Sequence, residues 1–250
     1  MINPKKLYKI LKNNGIKYFI GVPDSVLKNF LELLPKKENF ISTNEGSAIS
    51  FGVGYHLSTN KLPLIYLQNS GLGNAINPLI SIAHKKVYSI PLILLIGWRG
   101  SPNQKDEPQH LVQGKVTKSF LKLLGIKFII LNNEKDLSKI KNLINFSKKN
   151  NSPVAILLKN GKLKKTDYIK NPKKNQSDIK RITFLENLLK KINRNYKLVS
   201  TTGYTSRELY QIRSKYNLTN GSDFYMVGGM GHASMVAYGY SEKKNNVFCL

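Results

Sequence analysis

The sequence is poor in cysteine and lacks any long apolar run. Cys249 is the single cysteine among 250 residues, which excludes an intramolecular disulfide and a metal site built from several cysteines. No apolar stretch approaches the ~20 residues that a membrane-spanning helix needs, and the longest, around residues 90–96, has the length of a strand. The first ten residues also lack the apolar segment of a signal peptide. We therefore expect a cytoplasmic protein without a membrane partner.

Acidic residues are also scarce, with 14 Asp and Glu against 40 Lys and Arg, for a net charge of +26. Such an excess suits nucleic acid, acidic surfaces or small anions. Only five of the basic residues are arginine, the residue best suited to bidentate phosphate and base contacts. The lysines are spread over helix faces and over residues 162–180, and the sequence shows neither clustered arginines nor aromatics interleaved with them on one face. The charge pattern therefore does not favour a nucleic-acid partner.

Residues 1–160 alternate short apolar strands with helical segments. This alternation predicts an α/β fold with a doubly wound parallel sheet, because helices must cover both of its faces. The predicted strands are residues 18–22, 40–42, 64–68, 91–96, 127–131 and 154–158.

Residues 161–180 are rich in Lys, Asn and Asp without apolar periodicity, which predicts an exposed linker. The alternation resumes over residues 181–250, as the start of a second α/β domain. The sequence ends on an apolar strand, 247–250, with no helix after it to cover the sheet. We therefore expect that this second domain is incomplete.

Ligands of parallel sheets bind at the carboxyl ends of the strands, so the residues there are the first candidates. Glu45 follows the second predicted strand among small residues. It is either an acid that complements a helix dipole or a partly buried carboxyl that exchanges a proton with a ligand. Residues 70–74 form either a helix-entry turn or a close backbone approach to a ligand. A lone Gly-x-Gly is weak, and the dinucleotide fingerprint Gly-x-Gly-x-x-Gly is absent.

Two segments of the second domain also carry candidates. Thr202, Gly203 and Ser206 lie where a strand leads into a helix, and free amides there suit an anion. The alternative is that Ser206 only caps the helix. Three glycines surround Met230, which indicates either backbone pressed against a planar ligand or a plain glycine turn.

Taken together, these motifs resemble the thiamine-diphosphate-dependent decarboxylases. Three segments carry the resemblance: Asn-Glu-Gly-Ser-Ala at 44–48, Asn-Ser-Gly-Leu-Gly-Asn-Ala at 69–75 and Gly-Gly-Met-Gly-His-Ala at 228–233. A second set is similar to the phosphonopyruvate and sulfopyruvate decarboxylases within that family; its segments are 21–25, 97–100 and 201–208.

The resemblance implies a pyrimidine-binding domain at 1–160, the linker at 161–180 and the first part of a diphosphate-binding domain at 181–250. It implies a homo-oligomer with active sites between subunits, and thiamine diphosphate and Mg²⁺ as cofactors. The expected reaction converts 3-phosphonopyruvate, a small anionic 2-oxo acid, to phosphonoacetaldehyde and CO₂. Sulfopyruvate decarboxylation, or a non-catalytic fragment of such an enzyme, is the alternative.

The resemblance also implies roles for single residues. Glu45 would hydrogen-bond the cofactor's aminopyrimidine ring, and His110 would transfer a proton. The further cofactor contacts would be Gly71, Gly73, Asn74, Thr202, Gly203, Ser206, Gly228 and Met230. The substrate contacts would be Asp24, Ser25, Arg99 and Lys105.

The magnesium site is where the sequence departs from the family pattern. The family's Gly-Asp-Gly motif, followed some 25 residues later by Asn, would begin just after the final strand, and it is absent. Asp and Asn oxygens are the ligands that hold Mg²⁺. We therefore expect no metal ligand in this chain and a fragment or a non-functional truncation.

Overall fold

A computed structural model describes residues 1–165, 179–192, 196–218, 223–242 and 246–250. The chain divides into two compact units, Met1–Lys170 and Asn171–Leu250. The division falls inside the predicted linker, and the domain boundaries given above remain a prediction. No helix in the described part of the chain is long and apolar enough to cross a membrane.

The first unit contains a parallel sheet of six strands in the order β2-β1-β3-β4-β6-β5. The central strands β3, β4 and β6 are buried along almost their whole length, as expected for a sheet with both faces covered. The strands are β1 Phe19–Gly21, β2 Asn39–Ile41, β3 Leu64–Gln68, β4 Ile93–Trp98, β5 Lys127–Leu131 and β6 Val154–Lys159.

Helices cover both faces of this sheet, so the prediction of a doubly wound α/β fold is confirmed. Alternate strand residues point to opposite faces and build two separate hydrophobic cores. One core contains the apolar sides of α1, α2 and α6, and the other contains those of α3, α4 and α5. The helices are α1 Pro4–Asn13, α2 Lys28–Leu31, α3 Glu45–Thr59, α4 Leu72–Pro78, α5 Pro108–Leu123 and α6 Lys139–Asn150.

The second unit has a smaller parallel sheet in the order β8-β7-β9. Helices α7 and α8 pack on one face around Leu198, and α9 packs on the other around Val199. Its elements are α7 Arg181–Lys191, β7 Lys197–Ser200, α8 Tyr204–Lys215, β8 Phe224–Tyr225, α9 Ala233–Ser241 and β9 Val247–Cys249.

The structure differs from the sequence prediction in a few places. The helix expected near 74–85 begins at Leu72, and after Pro78 it widens into a π-helical stretch, Leu79–Ala83. Proline has no N–H to donate, which favours such an irregularity. At the start of the predicted linker, Leu163 is buried and its neighbours pair with the backbone of Ile2. Residues 166–178 of that linker lie outside the described residues.

Candidate active site

The candidate residues of the first unit lie where the strand order of its sheet changes direction. β1 lies between β2 and β3 in the sheet. The chain passes from β1 to β2 on one side of β1 and then returns to form β3 on the other side. Ligands of open parallel sheets bind outside the carboxyl ends of the strands at such a position. The segments that follow β1, β3 and β4 contact one another there through side-chain hydrogen bonds.

Glu45 is the first residue of α3 and is held there by its neighbour. The Asn44 side chain accepts a hydrogen bond from the Ser47 amide at 2.8 Å and so caps the helix. The Glu45 side chain is therefore fixed at the helix start, and only 8% of the residue is exposed. Its Oε2 accepts a hydrogen bond of 2.9 Å from Asn74 Nδ2.

Gly71 lies directly against the Glu45 carboxyl. A Cβ atom at position 71 would overlap with that carboxyl, so the close approach requires glycine. A Cβ at Gly73, in contrast, would meet nothing within 4 Å, and this glycine is exposed. Two of the predicted cofactor contacts in this unit, Gly71 and Asn74, thus contact Glu45. The third, Gly73, is exposed to solvent near them.

Asp24, in the loop after β1, is a second buried carboxyl with 5% exposure. Its Oδ1 accepts a 2.7 Å hydrogen bond from Gln68 Nε2, and its Oδ2 has no partner among the described residues. A Cβ at Gly97 would overlap with Oδ2, so β4 packs tightly against this oxygen. Burial raises the pKa of Asp24 above its ordinary value, against the opposing effects of the Gln68 side chain, the Val26 and Leu27 backbone amides and the Arg99 charge.

Arg99, after β4, forms a bidentate ion pair with Asp106. Its Nε lies 2.7 Å from Asp106 Oδ2, and its Nη2 binds Oδ1. The guanidinium holds the pKa of Asp106 well below its usual range. The remaining nitrogen, Nη1, donates to Ser25 Oγ at 3.3 Å. Arg99 is one of the predicted substrate contacts, and much of its positive charge is therefore already paired with Asp106 within the protein.

His110 lies in the first turn of α5 near this ion pair. Burial and the nearby Arg99 charge lower the pKa of His110, so the ring is neutral at pH 7. Its Nδ1 is buried without a hydrogen-bond partner among the described residues. A neutral imidazole of this kind can accept or donate a proton. Lys105 is exposed in the loop between β4 and α5.

Three residues that tie this region together were not among the predicted site residues: Gln68, Asn69 and Asp106. Asn69 accepts from the Arg99 amide at 3.0 Å and donates to the Arg99 carbonyl at 3.0 Å, which joins the segments after β3 and β4. The available signal was their place at the end of a strand, directly after one, or in the loop that follows one. Sequence spacing alone does not indicate which partners they contact.

In the second unit, α8 begins after Gly203, whose φ of 94° suits glycine. Its N-terminus has no side-chain cap, and Gly203 is exposed beside half-buried Thr202. Ser206 does not cap the helix. Its buried hydroxyl donates to the Thr201 carbonyl at 2.7 Å and lies 2.8 Å from Ser200 Oγ. Ser206 thus makes its contacts inside the unit, and the exposed candidates for an anion are Gly203 and the adjoining turn.

The glycine-rich loop before α9 presents Met230 to solvent, with 57% of the residue exposed. Gly229 and Gly231 have φ values of 65° and 86°, which favour glycine. His232 Nδ1 lies 3.1 Å from the Met230 carbonyl oxygen. Met230 is therefore not a core residue of this unit, while Met226, four residues earlier, is. Gly228 is half-buried in the same loop.

The structure assigns no residue to a metal ion. Among the described residues, no group of three or more His, Cys, Asp or Glu side chains is placed to hold one.

Comparison with known proteins gives a family match over the segment that carries Glu45. Residues 5–121 match the family described as thiamine pyrophosphate enzyme, N-terminal TPP binding domain. The chain is 32% identical to phosphonopyruvate decarboxylase of Streptomyces viridochromogenes over 96% of its own length, and it covers 63% of that protein. It is 33% identical to the sulfopyruvate decarboxylase subunit alpha of Methanococcus maripaludis, over 61% of its own length and 91% of that subunit.

Among solved structures, benzoylformate decarboxylase of Polynucleobacter necessarius is similar at a TM-score of 0.49 and 16% identity, over 80% of this chain and 39% of that one. The chain thus spans somewhat less than two thirds of the length of the phosphonopyruvate decarboxylase that it matches.

Proposed function

The chain belongs to the family of thiamine pyrophosphate enzymes that contains the phosphonopyruvate and sulfopyruvate decarboxylases, and from this we propose that it serves in a thiamine-diphosphate-dependent decarboxylase. We propose 3-phosphonopyruvate as the substrate and phosphonoacetaldehyde and CO₂ as the products. The single observation that supports this best is the Glu45 carboxyl, buried against Gly71 and bound by Asn74.

The Glu45 site fits the aminopyrimidine ring of the cofactor. A carboxyl can exchange a proton with a ring nitrogen when it is fixed and shielded from water. Glu45 is fixed by the start of α3 and shielded by Gly71, and the open space beside Gly73 leaves room for a ring. When bound, thiamine diphosphate supplies the electron sink for loss of CO₂, which no side chain can provide.

We assign the remaining cofactor contacts to the second unit. Met230 offers an exposed apolar side chain, and Gly228 offers its backbone carbonyl in the same loop. The turn at Thr202 and Gly203 offers helix amides to a diphosphate, and Ser206 shapes that turn from inside. Mg²⁺ belongs to the proposal as the diphosphate counter-ion, without an assigned residue in this chain.

The substrate side of the proposed site lies around Arg99. Ser25 and Lys105 are exposed on the two loops that flank it, and both suit an anionic tail. We assign proton transfer near this tail to His110, whose ring is neutral because burial lowers its pKa. We also propose that the protein is a cytoplasmic homo-oligomer without a nucleic-acid partner.

Sulfopyruvate is the second candidate substrate. The observation that favours it is the 33% identity to the sulfopyruvate decarboxylase alpha subunit, 91% of which this chain covers. A sulfonate carries one negative charge and a phosphonate up to two, so the two tails differ mainly in charge.

The test is release of CO₂ from three 2-oxo acids, phosphonopyruvate, sulfopyruvate and pyruvate, by the protein purified at its full natural length, with and without thiamine diphosphate and Mg²⁺. We expect cofactor-dependent turnover of phosphonopyruvate, with kcat/KM at least tenfold above that of the other two acids. A preference for sulfopyruvate would replace the proposed substrate with the second candidate. Absence of cofactor-dependent turnover of any of them would contradict the proposed function.

A further inference from the structure

Asp24 presents a physical problem that the proposed site does not yet explain. It is 5% exposed, and one of its two carboxyl oxygens, Oδ2, has no hydrogen-bond partner in the described part of the chain. A buried carboxylate with an unpaired oxygen is costly, and a buried group of this kind requires an explanation. A Cβ atom at Gly97 would overlap with Oδ2, so this oxygen packs where Gly97 leaves no room for a side chain.

The charges around Asp24 do not remove this cost. Among the described residues, Arg99 is the cation that lowers the pKa of Asp24, and both oxygens of Asp106 are already bound to that guanidinium. His110, on α5, is neutral because burial and Arg99 lower its pKa. Burial accordingly outweighs the hydrogen bonds and raises the pKa of Asp24. A proton on Oδ2 removes the charge that would otherwise be buried there.

The partnered oxygen of Asp24 leads toward the Glu45 site. Asp24 Oδ1 accepts from Gln68 Nε2 at 2.7 Å, which fixes the orientation of the Gln68 amide. The other end of that amide, Oε1, accepts from Ser70 Oγ at 2.8 Å. Ser70 directly precedes Gly71, whose backbone lies against the Glu45 carboxyl. Three consecutive contacts thus connect the two buried carboxyls.

We propose that Asp24 is a positioning residue that works as an un-ionised carboxylic acid, holding Gln68 and through it the Ser70–Gly71 segment against Glu45. It acts without touching the substrate, since its carboxyl is buried. The functional part of this inference rests on the proposed function, whereas the protonation of Asp24 can be tested without any activity.

Asp106 is the matched control, because it is a buried carboxyl of the same cluster in the opposite state. Its oxygens bind Arg99 and the amide of Gly100, and its pKa is lowered. An acid whose pKa is raised in the folded state lowers the stability of the protein as pH rises from the unfolded-state pKa through the folded-state value. An acid with a lowered pKa keeps its stabilising effect above the unfolded-state pKa and loses it as pH falls through the folded value.

The experiment compares the melting temperatures of wild type, Asp24→Asn and Asp106→Asn between pH 4 and pH 8. We expect the melting temperature of Asp24→Asn to increase relative to that of wild type as pH rises, by about 2–5 °C over this range. Asp106→Asn should melt below wild type across this range, by a nearly constant margin, because the stabilising effect of Asp106 is lost only below its unfolded-state pKa of about 3.9. An Asp24→Asn difference that stays constant with pH, as that of Asp106→Asn does, or that falls as pH rises, would overturn the un-ionised state.

The positioning role is tested by the affinity for thiamine diphosphate. Asp24→Asn keeps an oxygen for Gln68, and Asp24→Leu does not, so the first should bind at least tenfold more tightly than the second. Gln68→Met should weaken thiamine diphosphate binding as Asp24→Leu does. If Asp24→Leu does not fold, Gln68→Met still tests the positioning role. Equal affinity of Gln68→Met and wild type would overturn the role. Failure of wild type to bind would contradict the proposed function and leave the melting comparison to decide the protonation.

Discussion

Asn74 Nδ2 donates a 2.9 Å hydrogen bond to Glu45 Oε2, although 29 residues separate them in the chain. The bond joins the start of α4 to the start of α3, and it holds the carboxyl beside Gly71. This packing leaves the acid few alternative positions. We interpret it as the feature that prepares Glu45 to meet a ligand.

Gly71→Ala should lower turnover because it displaces the Glu45 carboxyl. The new Cβ would overlap with the Glu45 carboxyl, so that side chain must rotate away from Asn74. Because Gly71 has a φ of −78°, alanine fits its backbone and the fold should survive. We expect turnover to fall at least about tenfold, toward the 10²–10⁴-fold typical of losing a proton-transfer group, in a steady-state CO₂-release assay.

The control for this variant is Gly54→Ala, in the same helix as Glu45. A Cβ at Gly54 would meet nothing within 4 Å. Replacing a helix-interior glycine with alanine should stabilise the protein by roughly 0.5–1 kcal/mol and leave turnover within about twofold of wild type. If both variants lose activity alike, the close contact at Gly71 is not the cause.

Met230→Ala should weaken cofactor binding without destabilising the fold. Met230 is 57% exposed, so its truncation removes little buried surface. Met226→Ala is the matched control, because Met226 is 9% exposed and packs against Val199. We expect the control to lose about 2–5 kcal/mol of stability, the usual cost of truncating a buried methionine.

Thermal unfolding and calorimetric titration with thiamine diphosphate separate the two effects. A fall in melting temperature for Met230→Ala as large as that of Met226→Ala would assign Met230 to the core. Unchanged cofactor affinity in Met230→Ala would remove its proposed contact.

Much of the fold follows from local sequence features. The apolar run at 64–68 is a strand buried on both faces, as a short continuous apolar run predicts, and the run at 127–131 is an edge strand at its predicted position. Asn44 before Glu45 marks the start of α3, since asparagine caps helices well. The irregular end of α4 was missed because the apolar spacing continues past Pro78, where the hydrogen-bonding pattern changes.

The candidate site was only partly predictable. The rule that ligands bind at strand ends selected Glu45, and the family resemblance added Asp24 and Arg99. Their partners depend on the strand order, which brings Gln68 to Asp24, and sequence spacing does not determine that order. The direction of the Ser206 hydroxyl could not be predicted either, because a serine suits both a helix cap and a hydrogen bond to a buried carbonyl.

The central claim is that Glu45 exchanges a proton with the cofactor, and turnover of Glu45→Gln tests it most directly. Glutamine keeps the size of the side chain and loses its acidic proton, so the fold should be intact. The matched control is Glu134→Gln, which removes an ion pair with Lys6 on the surface of the same unit. We predict that Glu45→Gln decarboxylates phosphonopyruvate about 10²–10⁴-fold more slowly than wild type, while Glu134→Gln stays within about twofold. Turnover by Glu45→Gln within a few-fold of wild type would contradict the account.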